Sequence, residues 1–116
     1  MDTKTALRQL KIKTGVLKRS VKDYGSYAKE KVELEEKYEA AKNDESVEEG
    51  KLKRMNEAVA ETAQMLPLCK TKIETNIEAL RSHMESNDEN EELKEAEDWA
   101  AADAALAEAT AYLETI

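Results

Sequence analysis

Apolar positions recur along the chain at alternating steps of three and four residues, the spacing of one face of a packed helix. In the first segment, residues 3–43, this stripe consists of Leu7, Leu10, Thr14, Leu17, Val21, Tyr24 and Ala28, and then of Val32, Leu34, Tyr38 and Ala41. Ile12 and Val16 lie beside the stripe and are expected to widen the apolar face. The pattern predicts one long amphipathic helix.

Two further segments keep the same rhythm. Over residues 47–86 the stripe is Leu52, Met55, Val59, Thr62, Leu66, Cys69, Ile73, Ile77, Leu80 and Met84. Over residues 91–113 it is Ala96, Trp99, Ala102, Leu106, Ala109 and Leu113. Polar turn and capping residues separate the segments at 43–46 and 86–90, and Ser46 followed by Glu49 fits a capping box. Three helices joined by short turns predict a bundle that runs up, down and up.

Pro67 lies inside the second stripe. Proline removes one helix hydrogen bond and pushes on the preceding turn, but the apolar register continues on both sides, so a kink is predicted rather than a helix end. The fold class is therefore all-α: an elongated antiparallel three-helix bundle (up-down-up), with the second helix kinked at Pro67. We expect residues 1–116 to form a single domain with helices at about 3–43, 47–86 and 91–113.

Composition and charge narrow the function classes. Charged residues make up 38% of the chain and Phe is absent, which is typical of long helices or coiled coil. The net charge of −8 disfavours nucleic acid as a partner. There is no apolar run of about 18 residues, so no membrane span is expected. Residues 1–10 have no signal-peptide core and Cys69 has no second cysteine to pair with, so we expect a soluble cytoplasmic protein.

The residues that most often carry chemistry are sparse here. His83 has no evident acid or nucleophile beside it and is interpreted as a boundary or capping residue. Cys69 lies on the apolar stripe and is interpreted as a small core residue. The acidic pairs at 35–36, 48–49 and 91–92 lack the spacing of a calcium loop or a helical di-metal site. The sequence thus predicts no enzyme, no catalytic residue, no metal and no cofactor.

Charge is distributed unevenly along the chain. Residues 1–22 carry seven Lys or Arg and one acid, whereas residues 88–116 carry ten acids and Lys94. A basic start on an acidic protein is suited to steering an acidic partner.

Within that basic start, residues 10–19, Leu-Lys-Ile-Lys-Thr-Gly-Val-Leu-Lys-Arg, closely resemble the opening of the tubulin-binding cofactor A family. The resemblance continues through Val21-Lys22 and through residues 27–30, Tyr-Ala-Lys-Glu. Residues 65–69, Met-Leu-Pro-Leu-Cys, are similar to the family's apolar run followed by proline, one residue and cysteine. Leu68 departs from the pattern, since the family often has an acid there.

The resemblance implies a three-helix chaperone that captures β-tubulin monomers after their release from the cytosolic chaperonin. It would pass them to further tubulin-folding cofactors, without nucleotide hydrolysis, for assembly of the αβ-tubulin heterodimer that builds microtubules. Members of the family are monomers or homodimers. Cytoplasmic, cytoskeleton-associated localisation is implied in the same way.

A partner-binding surface is hypothesised from the mismatch between the basic start and the acidic whole. Its residues are Lys11, Lys13, Lys18, Arg19, Lys22 and Tyr27, together with exposed side chains of the middle helix. Packing within the bundle is the alternative role of Tyr27. The alternative function is a generic coiled-coil adaptor or oligomerisation module, which would explain the heptad rhythm equally well. A helical metal oxidase is a further rival, opposed by the missing ligands.

Overall fold

The structure, a computed structural model, describes residues 2–116, and all of the regular secondary structure in that range is helical. Four helices follow one another: α1 (Thr3–Lys42), α2 (Glu49–Ser86), α3 (Glu91–Lys94) and α4 (Glu97–Thr115). The all-α class predicted from the apolar rhythm is therefore confirmed. None of the helices described is long and apolar enough to cross a membrane.

The chain divides into two compact units. The terminal unit comprises the residues up to Lys22 together with Lys70–Ile116, and the middle unit is Asp23–Cys69. The helices α1 and α2 are each shared between the two units, whereas α3 and α4 belong entirely to the terminal unit.

The core of the terminal unit follows the predicted stripes. Its largest fully buried side chains are Leu10, Leu17, Ile73, Leu80 and Leu93. The helix α4 contributes small buried side chains, namely Ala102, Ala105 and Ala109, and Trp99 is half-buried. Methyl-sized side chains let the backbone of α4 lie close to its neighbours, so this core is built from aliphatic residues on one side and alanines on the other.

The predicted third helix is interrupted. Ala96 has extended backbone angles, φ −68° and ψ 146°, and separates the four residues of α3 from α4. Its N–H donates to the carbonyl of Leu93 at 3.1 Å, and its own carbonyl accepts from Trp99 at 3.1 Å. The prediction of one continuous segment at 91–113 missed this break because no glycine or proline stands there to signal it.

Polar side chains tie the ends of the helices together in the terminal unit. Asn90 caps α3, because its Oδ1 accepts from the backbone N–H of Leu93 at 3.0 Å, and its Nδ2 donates to Oγ1 of Thr3 at 3.0 Å. The first turn of α1 is capped by Asp2, whose Oδ1 accepts from the N–H of Thr5 at 2.7 Å. The bonds from Leu93 and Thr5 satisfy backbone N–H groups that a helix start leaves without an intrahelical partner, and the bond from Asn90 to Thr3 joins two side chains.

The middle unit has a thinner apolar core. Of its residues, all described, only Thr62 and Cys69 are buried, and the stripe residues Leu34, Leu52 and Met55 are half-buried. Val32, predicted on the packed stripe, is 53% exposed. Two helical segments give each apolar residue fewer neighbours than three do, so the same rhythm produces less burial here.

The turn of the middle unit differs from the predicted capping box. The hydroxyl of Ser46 donates to Oδ1 of Asp44 at 2.6 Å, and the N–H of Ser46 donates to the same oxygen at 2.9 Å. These two hydrogen bonds lower the pKa of Asp44. Since its hydroxyl is engaged within the turn, Ser46 does not cap α2, which begins at Glu49.

Pro67 lies within the continuous helix α2, as its register predicts. The kink at Pro67 and the three-helix course up, down and up stay predictions at this point, because the described chain has four helices.

Candidate partner-binding surface

The five basic residues of the hypothesised surface lie on the part of α1 that belongs to the terminal unit. Lys13 is half-buried and the other four, Lys11, Lys18, Arg19 and Lys22, are exposed. Nζ of Lys11 lies 3.8 Å from Oδ2 of Asp98 on α4, with both side chains well exposed. A surface ion pair of this kind contributes about 0–1 kcal/mol, so Lys11 can leave Asp98 at little cost when a partner approaches.

An exposed aliphatic pair accompanies these cations. Ile12 is 52% exposed and Val16 is 40% exposed, although the sequence suggested that they widen the packed face. The core side of α1 is occupied by Leu10, Thr14 and Leu17, and residues four apart share a face, so Ile12 and Val16 lie together on the solvent side.

Two arginines bracket this aliphatic pair. Arg8 precedes Ile12 by four residues and Arg19 follows Val16 by three, so each lies one helical turn away on the same face, and both are exposed. Arginine is enriched at protein interfaces relative to the rest of the protein surface. Sequence reasoning missed the pair as part of a surface. The sequence did contain a signal for this surface, because Ile12 and Val16 are four residues apart and lie outside the main apolar stripe.

A shallow groove of about 220 Å³ runs beside Gly15 in the terminal unit. It is lined by Lys11, Thr14, Gly15, Lys18, Asp98 and Ala101. The hydroxyl of Thr14 is bonded back to the carbonyl of Leu10 at 2.8 Å, and a Cβ built on Gly15 would meet nothing within 4 Å. The backbone of α1 is therefore approachable at Gly15, between Lys11 and Lys18.

Tyr27, the sixth hypothesised residue, belongs to the middle unit, where it is half-buried. The structure thus gathers the five basic residues on one stretch of helix within the terminal unit, and Tyr27 is described with the other unit. Their joint use by a partner stays a prediction.

The two residues considered as candidates for chemistry, His83 and Cys69, are both buried in the structure. His83 lies in the last turn of α2, and its ring is buried rather than placed at a boundary. Its Nε2 lies 2.9 Å from the carbonyl oxygen of Ala6, and because a carbonyl only accepts, Nε2 is the donor. Cys69 is a buried free thiol, as its position on the stripe predicts. Within residues 2–116, no group of three or more His, Cys, Asp or Glu side chains is arranged to hold a metal ion.

Comparison with known proteins gives consistent results. Residues 5–106 match the family described as Tubulin binding cofactor A. The chain is 39% identical over 89 residues to tubulin-specific chaperone A from Rattus norvegicus, a match that covers 77% of this chain and 82% of that protein. It is 35% identical over 86 residues to tubulin-folding cofactor A from Arabidopsis thaliana, with 74% of this chain and 75% of that protein covered.

Solved structures show the same similarity. The crystal structure of tubulin folding cofactor A from Arabidopsis thaliana superposes with a TM-score of 0.77 at 29% identity, covering 91% of this chain and 96% of that one. Human tubulin chaperone cofactor A superposes with a TM-score of 0.70 at 33% identity, covering 90% of this chain and 98% of that one.

Proposed function

Because this chain belongs to the tubulin binding cofactor A family, whose relatives are tubulin chaperones, we propose that it is a tubulin-folding cofactor acting on β-tubulin. It binds β-tubulin monomers after their release from the chaperonin and holds them until the αβ-tubulin heterodimer assembles. An unassembled subunit exposes a surface meant for its partner, and such surfaces aggregate unless they are covered.

The observation that carries this proposal is the exposed aliphatic pair on a basic stretch of an acidic chain. Ile12 and Val16 offer apolar contact area, and the cations around them offer charge complementarity to an acidic partner. Helical segments are ordered before binding, so covering a partner in this way requires little additional ordering.

The contact residues that we propose are those hypothesised from the sequence: Lys11, Lys13, Lys18, Arg19, Lys22 and Tyr27. Ile12 and Val16 extend this set, because they are exposed on the same stretch of α1. The proposal includes cytoplasmic localisation with cytoskeletal association, action as a monomer or homodimer, hand-over to other tubulin-folding cofactors, and no catalysis.

We also propose the three-segment course up, down and up within a single domain. Two contacts in the terminal unit support the first and third segments running in the same direction: Thr3 with Asn90, and Lys11 with Asp98 further along. Two contacts support the opposite direction for α2. Lys70, in the middle of α2, donates from Nζ to the carbonyl of Ile116, just after the end of α4, at 3.4 Å. His83, in the last turn of α2, contacts Ala6 near the start of α1. The kink at Pro67 is part of the same proposal.

The test of the surface is a charge reversal with a matched control. The triple variant Lys11→Glu, Lys13→Glu, Lys18→Glu is expected to reduce co-purification of β-tubulin by about tenfold or more, because attraction becomes repulsion at the contact. The control is Lys29→Glu, Lys53→Glu, Lys72→Glu, which changes the net charge equally at three exposed lysines outside the surface. Circular dichroism establishes that both variants are folded.

Two results would be decisive against the proposal. If the folded triple variant and its control retain β-tubulin equally, the surface is wrong. If the unaltered protein itself retains no β-tubulin released from chaperonin, the function is wrong.

A further inference from the structure

The middle unit contains a groove that the basic surface of α1 does not include. It has a volume of about 330 Å³ and lies between the part of α1 near Leu34 and the first turns of α2. Its lining residues are Leu34, Lys37, Lys51, Arg54, Met55 and Ala58. Leu34, Met55 and Ala58 are half-buried and form the apolar floor, while the three cations are exposed at the rim.

The rim cations are available to a partner. The ion pairs among the described residues use Lys11, Lys31, Lys42, Arg81 and Lys94, so none of the rim cations has a carboxylate within 4 Å. Lys51 is near enough to Asp44 to contribute to the lowered pKa of that carboxyl, and the other two rim cations are Lys37 and Arg54.

The guanidinium of Arg54 lies beside the residue one helical turn before it. A Cβ built on Gly50 would lie 3.9 Å from Nη1 of Arg54, so the guanidinium folds back over a backbone that carries no side chain. Arginine is the cation best suited to bind carboxylate, because its planar fork makes two parallel hydrogen bonds. Met55 on the floor has a flexible thioether that adapts to different apolar shapes.

We propose that this groove binds an acidic helical segment of another protein, with one aliphatic or aromatic side chain on the floor and flanking carboxylates on Lys37 and Arg54. The volume lies at the lower end of the range of binding pockets, which suits one anchoring side chain and its neighbours. Binding of an amphipathic helix in an apolar groove, with its apolar side chains as anchors, is a common mode of protein recognition.

The inference does not rest on tubulin as the partner and is tested with a defined probe. The probe is a fluorescein-labelled helical peptide with a central Leu and a Glu one turn before and one turn after it. Two control peptides carry Ser in place of the Leu, or Lys in place of both Glu. Fluorescence anisotropy should show saturable binding of the probe and about tenfold or weaker binding of each control, because apolar and charged contacts both contribute.

Protein variants locate the site. Lys37→Glu with Arg54→Glu should weaken binding of the probe by about tenfold or more, whereas the matched double Lys29→Glu with Lys53→Glu should change it less than about twofold, since it alters the net charge equally outside the groove. Met55→Ser should weaken binding without a change of charge. Amide NMR shifts on titration should centre on Leu34 and Met55.

The proposal is overturned by any of three results: equal weakening by the two double variants, equal binding of the Leu and Ser peptides, or amide shifts that leave residues 34–37 and 51–58 unmoved. The first two would show general attraction of an acidic peptide to the cations, and the third would show binding elsewhere.

Discussion

Nε2 of His83 lies 2.9 Å from the carbonyl oxygen of Ala6, joining residues 77 positions apart in the sequence. The carbonyl of Ala6 is also the acceptor for the helical N–H of Leu10, so it takes a second hydrogen bond from the imidazole. The single histidine of the chain therefore holds the last turn of α2 to the start of α1. This hydrogen bond gives His83 a positional role in the structure.

Replacing His83 should measure this link. His83→Ala is expected to lower the free energy of unfolding by about 2 kcal/mol, because it removes a buried hydrogen bond and leaves a cavity. His83→Leu keeps most of the volume and should cost about 1 kcal/mol, the value of the hydrogen bond. Urea unfolding followed by circular dichroism gives both numbers. Lys72→Ala, at an exposed position of the same helix, is the control, and a loss equal to that of His83→Ala would contradict the interpretation.

The Asn90–Thr3 hydrogen bond should behave as a coupled pair. Asn90→Ala removes both the cap of α3 and the bond to Thr3, and is expected to cost about 1–2 kcal/mol. Thr3→Val removes only the second bond. A double-mutant cycle should give a coupling energy of about 0.5–1 kcal/mol, because the two side chains share one hydrogen bond.

The control for this cycle is Asn56→Ala, at an exposed position of α2, which should be neutral or slightly stabilising since alanine favours helix. Strictly additive losses at Asn90 and Thr3 would show that their hydrogen bond contributes nothing to stability.

The alanine face of α4 offers a comparison between adjacent residues. Ala105 is buried at 3% exposure and Ala104 is exposed. Ala105→Leu should lower the free energy of unfolding by about 1–3 kcal/mol through overpacking, while Ala104→Leu should change it by less than about 0.5 kcal/mol. Thermal unfolding of the two variants tests this. Equal effects would mean that α4 has room for large side chains on its inner face.

Acid should act on the cap of α1. The backbone N–H of Thr5, hydrogen-bonded to Asp2, lowers the pKa of the Asp2 carboxyl. A carboxyl whose pKa is lower in the folded state stabilises the fold above its unfolded pKa, about 3.9, and this contribution is lost as pH falls through the folded pKa.

Two measurements check the prediction for Asp2. The ¹³C carboxyl resonance of Asp2 should titrate below the value of an unstructured Asp. The stability difference between the unaltered protein and Asp2→Asn should shrink as pH falls below about 4, because asparagine caps a helix without titrating. A carboxyl that titrates at the ordinary value would contradict the capping geometry.

Much of the fold could be predicted because helical burial follows apolar spacing. Leu10, Leu17, Ile73 and Leu80 lie on the predicted stripes and are fully buried. The spacing shows that a face is apolar but not how many neighbours cover it, which is why Val32 is exposed in the middle unit although it lies on the stripe.

Local competition between hydrogen bonds was harder to predict. The hydroxyl of Ser46 could bond either to the carboxylate of Asp44, two residues before it, or to the backbone at the start of α2. The sequence does not show which of these two hydrogen bonds is favoured. Ala96 has an ordinary helix-forming side chain, so the sequence carries no signal for its extended backbone, whose N–H and carbonyl are hydrogen-bonded to Leu93 and Trp99. Of the proposed binding surface, the charges could be predicted from the sequence, whereas the exposure of Ile12 and Val16 became evident only in the structure.

Trp99, the single tryptophan, lies half-buried on α4 in the terminal unit, whereas Tyr24, Tyr27 and Tyr38 lie in the middle unit. The chain thus carries a natural optical label for one unit alone. Emission excited selectively from the indole follows the melting of the terminal unit, while far-ultraviolet ellipticity sums the helices of both. If the two melting curves superimpose, the protein unfolds as a single cooperative unit. If they are separated, the two units unfold independently, with boundaries near Lys22 and Lys70.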